Sequence, residues 1–405
     1  MPFLKTFRSV WLWSLGFFAL AALTGAFYRL GLIGGLPLDL SLTNVRHAHS
    51  HLMFFNWVTP IPMIFIAGYV IQQAPGAVKS FKQCIATVLV IGFASFPFFL
   101  FNGYEPVQVG GASLPFSVIL SGMVMVTWYW FCWIYLKNRE KTGGGLPGMF
   151  YDASLLLLVV SSLGAWGIAV FQFSGIENPL LSTALTHFFL TVFIEGWTVL
   201  SALGIIYHTL GIHRGRLHES WLIGPIVLGV PLMFPFGISA ELLTNELLIT
   251  ASFGAIIVTV GLAANFYQLM RSIRWPITWW WIVVLNLLAA KILIQFGAAV
   301  LPFDFLLGQH GLRVFYLHLT LLGVVSLIYF SAWHSMLTHV KKGAFKLFVL
   351  SVLILLGMLL WISGLLPATL IPGRVYEVLF IVSLFPGLFV LLEGWYLYKE
   401  MNSGK

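Results

Sequence analysis

The sequence predicts an all-α polytopic membrane protein with twelve transmembrane helices and both termini cytoplasmic. Three observations carry this. Of 405 residues, 60% are hydrophobic and only 8% are charged, against about 25% charged in a soluble domain, so the main solvent is lipid. Apolar stretches long enough to cross a bilayer fall at 9–33, 44–73, 83–102, 112–136, 152–174, 181–210, 221–240, 246–270, 276–301, 308–338, 344–367 and 375–398. The loops between them alternate strictly in charge.

Taken in order, the first stretch follows Lys5 and Arg8, is long enough to span, and lacks a small-residue cleavage site, so it reads as a helix and not a signal peptide. One set of ends and loops holds Lys5, Arg8, Lys79, Lys82, Lys137, Arg139, Lys141, Arg214, Arg216, Arg271, Arg274, Lys341, Lys342, Lys346, Lys399 and Lys405. The other holds Asp39, Glu105, Glu177, Glu241, Glu246, Asp304 and Glu377. Lysine and arginine stay on the cytoplasmic side, which puts both termini there. The short connections leave no room for an extramembrane domain, so residues 1–405 read as one twelve-helix transmembrane domain. A bacterial inner membrane is the expected location.

The net charge of +8 lies in short loops without a basic cluster, so nucleic acid is not an expected partner; membrane lipid is. Cys84 and Cys132 form no CxxC or CxxCH pattern, which leaves a structural zinc site, a disulfide framework and a covalently attached heme without support.

The run Arg46-His47-Ala48-His49-Ser50-His51 stands at the mouth of the second helix. Ionisable groups in a membrane are costly and mark sites, and neutral imidazole is the commonest metal ligand. On the predicted topology, His47, His49, His51 (helix 2), His187 (helix 6), His310 and His318 (helix 10) lie in the outer third of the membrane. His208, His213, His218, His334 and His339 lie at or beyond the cytoplasmic ends, where solvated interfacial histidine is the expectation. His47 and His51 are four residues apart and share a helix face, whereas His49 points to roughly the opposite one. Each outer histidine, taken alone, also reads as a helix-end or core imidazole bonded to a neighbour.

At these residues the sequence resembles the heme-copper oxidase superfamily, catalytic subunit I. The segment Ala48-His49-Ser50-His51-Leu52-Met53-Phe54-Phe55 with Pro60 is similar to the family's second helix. His310-Gly311, followed by Phe315-Tyr316-Leu317-His318-Leu319 and Gly323, is similar to the tenth helix of its nitric oxide reductase branch. Ile371-Pro372-Gly373-Arg374-Val375-Tyr376 resembles the loop whose arginines neutralise heme propionates. The histidine run and chain size also resemble the NnrS family of heme- and copper-containing membrane proteins. The resemblance implies a bundle of four-helix units in approximate threefold arrangement, relating helices 2, 6 and 10. It implies a low-spin heme, heme b, with His49 and His318 as axial ligands and Arg46, Arg313 and Arg374 at the propionates.

The family's pattern is incomplete here. Tyr316 stands where the high-spin heme ligand is expected, helix 7 has no histidine, and Glu195-Gly196 follows His187 too late for the reductase spacing. The copper site is therefore lost or rebuilt, with His47, His51, His187 and His310 as candidates for a second metal, copper, or a second heme. Glu195 and Lys291 are buried charges that serve either a proton path or polar contacts between helices. Glu393-Gly394-Trp395 repeats the triplet Glu195-Gly196-Trp197 and reads as coincidence. Three functions stay open: electron transfer through one low-spin heme; reduction of NO or O2 at an unconventional second site; and metal- or proton-coupled transport. An electron donor would be a quinol, a cytochrome or another respiratory subunit.

Overall fold

The computed structural model describes residues 2–142, 144–175, 178–274, 276–301, 310–337, 342–365, 367 and 373–402. Of the residues singled out above, Glu177, Asp304, His339, Lys341, Ile371, Pro372 and Lys405 lie outside the described set. The chain is a nearly all-helical polytopic membrane protein. Among the described residues, eleven helices are long and apolar enough to cross a membrane: α1 (Thr6–Gly34), α2 (Leu42–Ile71), α3 (Pro75–Asn102), α4 (Phe116–Thr142), α5 (Leu146–Phe171), α6 (Pro179–Thr209), α8 (Asn245–Ser272), α9 (Trp279–Val300), α10 (His310–Met336), α11 (Gly343–Trp361) and α12 (Val375–Lys399).

The seventh apolar stretch, expected to span over 221–240, folds differently. Its helix α7 (Glu219–Leu232) is apolar but shorter than a span needs. Pro225 lies inside its α-helical part, Glu219–Gly229; Pro231 opens the 3-10 turn Val230–Leu232 that ends it, and Pro235 opens the next, Phe234–Gly237. Each proline removes a backbone donor and crowds the preceding turn, so a regular helix cannot continue. Elsewhere local chemistry sets the boundaries as expected. Asn178 caps α6 by accepting from the Leu181 amide at 3.1 Å, with Pro179 in the first turn. Between α3 and α4 a small hairpin pairs β1 (Val107–Val109) with β2 (Ala112–Leu114). Its turn is Gly110-Gly111, at φ 57° and 84°, a conformation that glycine adopts without steric cost.

The chain divides into two compact units. The first comprises 1–142, 333–362 and 366–405, and the second 143–332 with 363–365. In the first, α1 packs on α2 and α12, α3 on α2 and α4, and α11 on α12. In the second, α5 packs on α6, and α8 on both α7 and α9.

Three helices stand apart from the rest. In α2, α6 and α10, 94%, 89% and 72% of the apolar window is buried, against at most 50% in any other span. The same three, and among the described residues no others, change to π-helix midway: Phe54–Val58, Val192–Thr198 and Leu319–Ser326. They are also the three helices that carry His47, His49, His51, His187, His310 and His318. A π turn leaves backbone carbonyls out of α register and recurs at functional sites. In α10 the hydroxyl of Ser326 donates to the carbonyl of Leu321, five residues back, at 2.7 Å. In α2 the wide turn directly precedes Pro60, which absorbs the missing donor there.

Candidate functional site

In the first unit, the histidine run of α2 serves two opposite surroundings. His49 faces α1. Its Nδ1 lies 2.7 Å from the carbonyl oxygen of Ala21. A carbonyl only accepts, so Nδ1 carries the proton, and in the neutral ring the lone pair sits on Nε2. The residue opposite is Gly25, where a Cβ would stand 2.9 Å from His49 Cε1, so the ring's position requires a glycine there. Such an outer bond, from one ring nitrogen to a backbone carbonyl, is how imidazole ligands are oriented.

His47 and His51 face α3 and the loop after it. The His51 ring stacks on Phe99, with centroids 3.8 Å apart and planes 6° from parallel. Its Nε2 meets the Tyr104 hydroxyl at 2.8 Å, while its buried Nδ1 has no hydrogen-bond partner. His47 lies edge-on to Tyr104 at 4.8 Å and 6.5 Å from His51, centroid to centroid. Tyr104 is a member of this group that the sequence did not indicate, because its proximity depends on how the chain turns after α3.

In the second unit, Glu195, Lys291, Gln295 and Tyr316 converge from α6, α9 and α10. Lys291 Nζ donates to Glu195 Oε2 at 2.7 Å, to Gln295 Oε1 at 2.8 Å and to the Tyr316 hydroxyl at 2.9 Å. The Tyr316 hydroxyl in turn donates to Glu195 Oε1 at 2.8 Å. The three ammonium protons thus have three acceptors, and each carboxylate oxygen receives one bond. Gln295 Nε2 reaches Met233 Sδ at 3.8 Å. Lys291 is fully buried and Glu195 nearly so. The pair has no net charge, which is the condition under which charges persist in a low-dielectric interior. Asn286, flanking Lys291 in sequence, instead bonds the carbonyl of Ile282 in its own helix.

His318 lies one residue before the π segment of α10. Its Nδ1 is 2.8 Å from the carbonyl of Val314, so the same tautomer argument places the lone pair of the neutral ring on Nε2. His187 is half-buried beside Gly237, where a Cβ would come within 2.0 Å of its Nδ1. His310 is exposed at the start of α10 and Arg313 is half-buried. In the first unit Arg46 is exposed, and Arg374 pairs only with exposed Glu377 at 3.8 Å. Among the described residues, no three His, Cys, Asp or Glu side chains stand together as a metal cluster.

The expectation of solvated cytoplasmic-end histidines holds for His213 and His218, which are exposed, but fails for His334. His334 is 1% exposed, stacks on Phe345 with centroids 4.3 Å apart, and sets Nε2 3.1 Å from Oε1 of Glu393, which is itself 1% exposed. Position along the helix set the expectation; packing by α11 and α12 overrides it. His208 is half-buried, with Nδ1 3.4 Å from the Tyr151 hydroxyl. The two Glu-Gly-Trp triplets therefore share one trait: each glutamate faces a buried basic side chain from another helix. They differ in the rest, since Trp197 is fully buried and Trp395 is 49% exposed.

Comparison with protein-family models and with curated proteins found no match for this chain.

Proposed function

We propose that this chain is a heme-binding integral membrane protein of the heme-copper oxidase type, transferring or holding electrons through one low-spin heme b. His49 and His318 would be the axial ligands and Arg46, Arg313 and Arg374 the propionate partners. The observation that carries the reading is the shared tautomer. Both imidazoles commit Nδ1 to a backbone carbonyl, at 2.7 and 2.8 Å, which in the neutral ring puts the lone pair on Nε2, the tautomer a heme ligand needs. The donor chemistry fits heme iron. A bound heme would supply one-electron transfer; the chain's own groups would orient the rings and hold protons. The Glu195–Lys291–Tyr316 network would keep its protons in fixed places beside α10. His47, His51, His187 and His310 remain the candidates for a second metal or heme, and with it for NO or O2 reduction. Twelve spans, cytoplasmic termini and an inner-membrane location complete the proposal, with α7 and its 3-10 turns as the seventh crossing.

The test is the absorption spectrum and metal content of the full-length protein purified from cells supplied with heme. The expected result is a bis-histidine Soret and α-band pattern that His49→Ala and His318→Ala each abolish. A colourless protein would sink the proposal. A second heme or stoichiometric copper that responds to CO or NO would move it to the reductase reading. The transporter reading draws on the buried Lys291–Glu195 pair, since intramembrane ion pairs also line substrate paths. Metal-dependent uptake into proteoliposomes by heme-free protein would favour it.

A further inference from the structure

Two buried acid–base pairs occur among the described residues, and their hydrogen-bond inventories differ. In the Lys291–Glu195 network every ammonium proton and both carboxylate oxygens have partners, so the protons are held in place. The His334–Glu393 pair lacks that closure. Nε2 and Oε1 approach to 3.1 Å, yet the contact does not have hydrogen-bond alignment. Nδ1 of His334 and Oε2 of Glu393 are buried and have no hydrogen-bond partner.

A buried carboxylate beside a neutral imidazole carries one uncompensated negative charge, which is costly away from water. One added proton brings the pair to net zero, whether it sits on the imidazole or on the carboxylate. Among the described residues, no charged group of the surrounding elements hydrogen-bonds to either side chain. On α1, Arg8 donates through Nη2 to the carbonyl of Leu397 at 2.8 Å. On α11, Lys346 is exposed; on α12, Lys399 is exposed and lies over the Trp395 ring at 4.3 Å. The face turned to His334 from α11 is the apolar ring of Phe345. His334 stands in the last turn of α10, at the end of the helix away from His310, and Glu393 faces it from α12.

We infer that His334 and Glu393 form a proton-binding site that takes up and releases one shared proton in the first unit. The proton belongs to the pair and not to either residue. Uptake changes the pair from −1 to 0 and requires no oxidant, metal or other co-reactant. This site does not depend on heme.

The test is proton counting on the full-length protein in detergent, comparing wild type with His334→Phe/Glu393→Leu across the pH range in which both stay folded. Wild type is expected to bind one proton more per chain than the double variant. A difference of zero means a permanently locked ion pair, and a difference of two means independent groups; either overturns the inference. If the double variant does not fold, wild type alone decides. Infrared carboxyl bands and histidine ring resonances must together report one reversible protonation, with the carboxyl component changed by Glu393→Gln. If neither signal changes with pH, the inference fails.

Discussion

Tyr316 donates its hydroxyl proton to Glu195 across 2.8 Å and accepts from Lys291 at 2.9 Å. Tyr316 is thus a structural partner of the buried Lys291–Glu195 pair. Its place in the network explains why a phenol suits this position. A hydroxyl both donates and accepts, and this network needs one group that does both.

Removing Lys291 leaves the buried Glu195 carboxylate without its counter-charge. Lys291→Met is expected to lower stability by about 3–5 kcal/mol, read from thermal or denaturant unfolding in detergent. Lys291→Met with Glu195→Leu is expected to recover most of the loss, because no charge is left uncompensated. Equal destabilisation by single and double variants would show that the pair is not coupled.

Tyr316→Phe keeps the ring and removes the hydroxyl. The expected cost is about 1–3 kcal/mol, for leaving Glu195 Oε1 without its donor. A neutral effect would mean that Gln295 or another group takes over the bond.

The position of His49 depends on Gly25. Gly25→Val is expected to push the ring from Ala21 and, if the proposed heme is bound, to remove its absorbance as His49→Ala would. Gly16→Val, in the same helix but with open space around its Cβ, is expected to leave the spectrum intact. Identical spectra for the two glycine variants would detach His49 from heme binding.

At the outer group of the first unit, Tyr104→Phe deprives His51 Nε2 of its partner. The expected loss is about 1 kcal/mol, and His47 reactivity toward diethyl pyrocarbonate should rise, since the Tyr104 ring that covers it at 4.8 Å is no longer anchored. Unchanged stability and unchanged His47 labelling would count against this role.

Reporter fusions check the topology. Both the N-terminal and the C-terminal fusion are expected to be active in the cytoplasm and inactive outside it. Opposite outcomes at the two ends would imply that α7 does not cross.

The sequence alone was enough to establish an all-helical membrane protein, because spanning length and hydropathy are local, additive properties. Eleven of the twelve stretches it marked are long apolar helices, and the prolines that shorten the other, Pro225, Pro231 and Pro235, stand in plain view. It also marked Glu195 and Lys291 as anomalous charges, but not that they meet, since residues ninety-six apart pair only through helix packing. Tertiary structure decided the rest. It seated His49 against Ala21 and Gly25 of α1 and Tyr104 against His51, and it joined Tyr316 to the network. It also buried His334 against Phe345 and Glu393, although its place at a helix end suggested water. Burial is a property of what surrounds a residue, and for these side chains the surroundings come from distant parts of the chain.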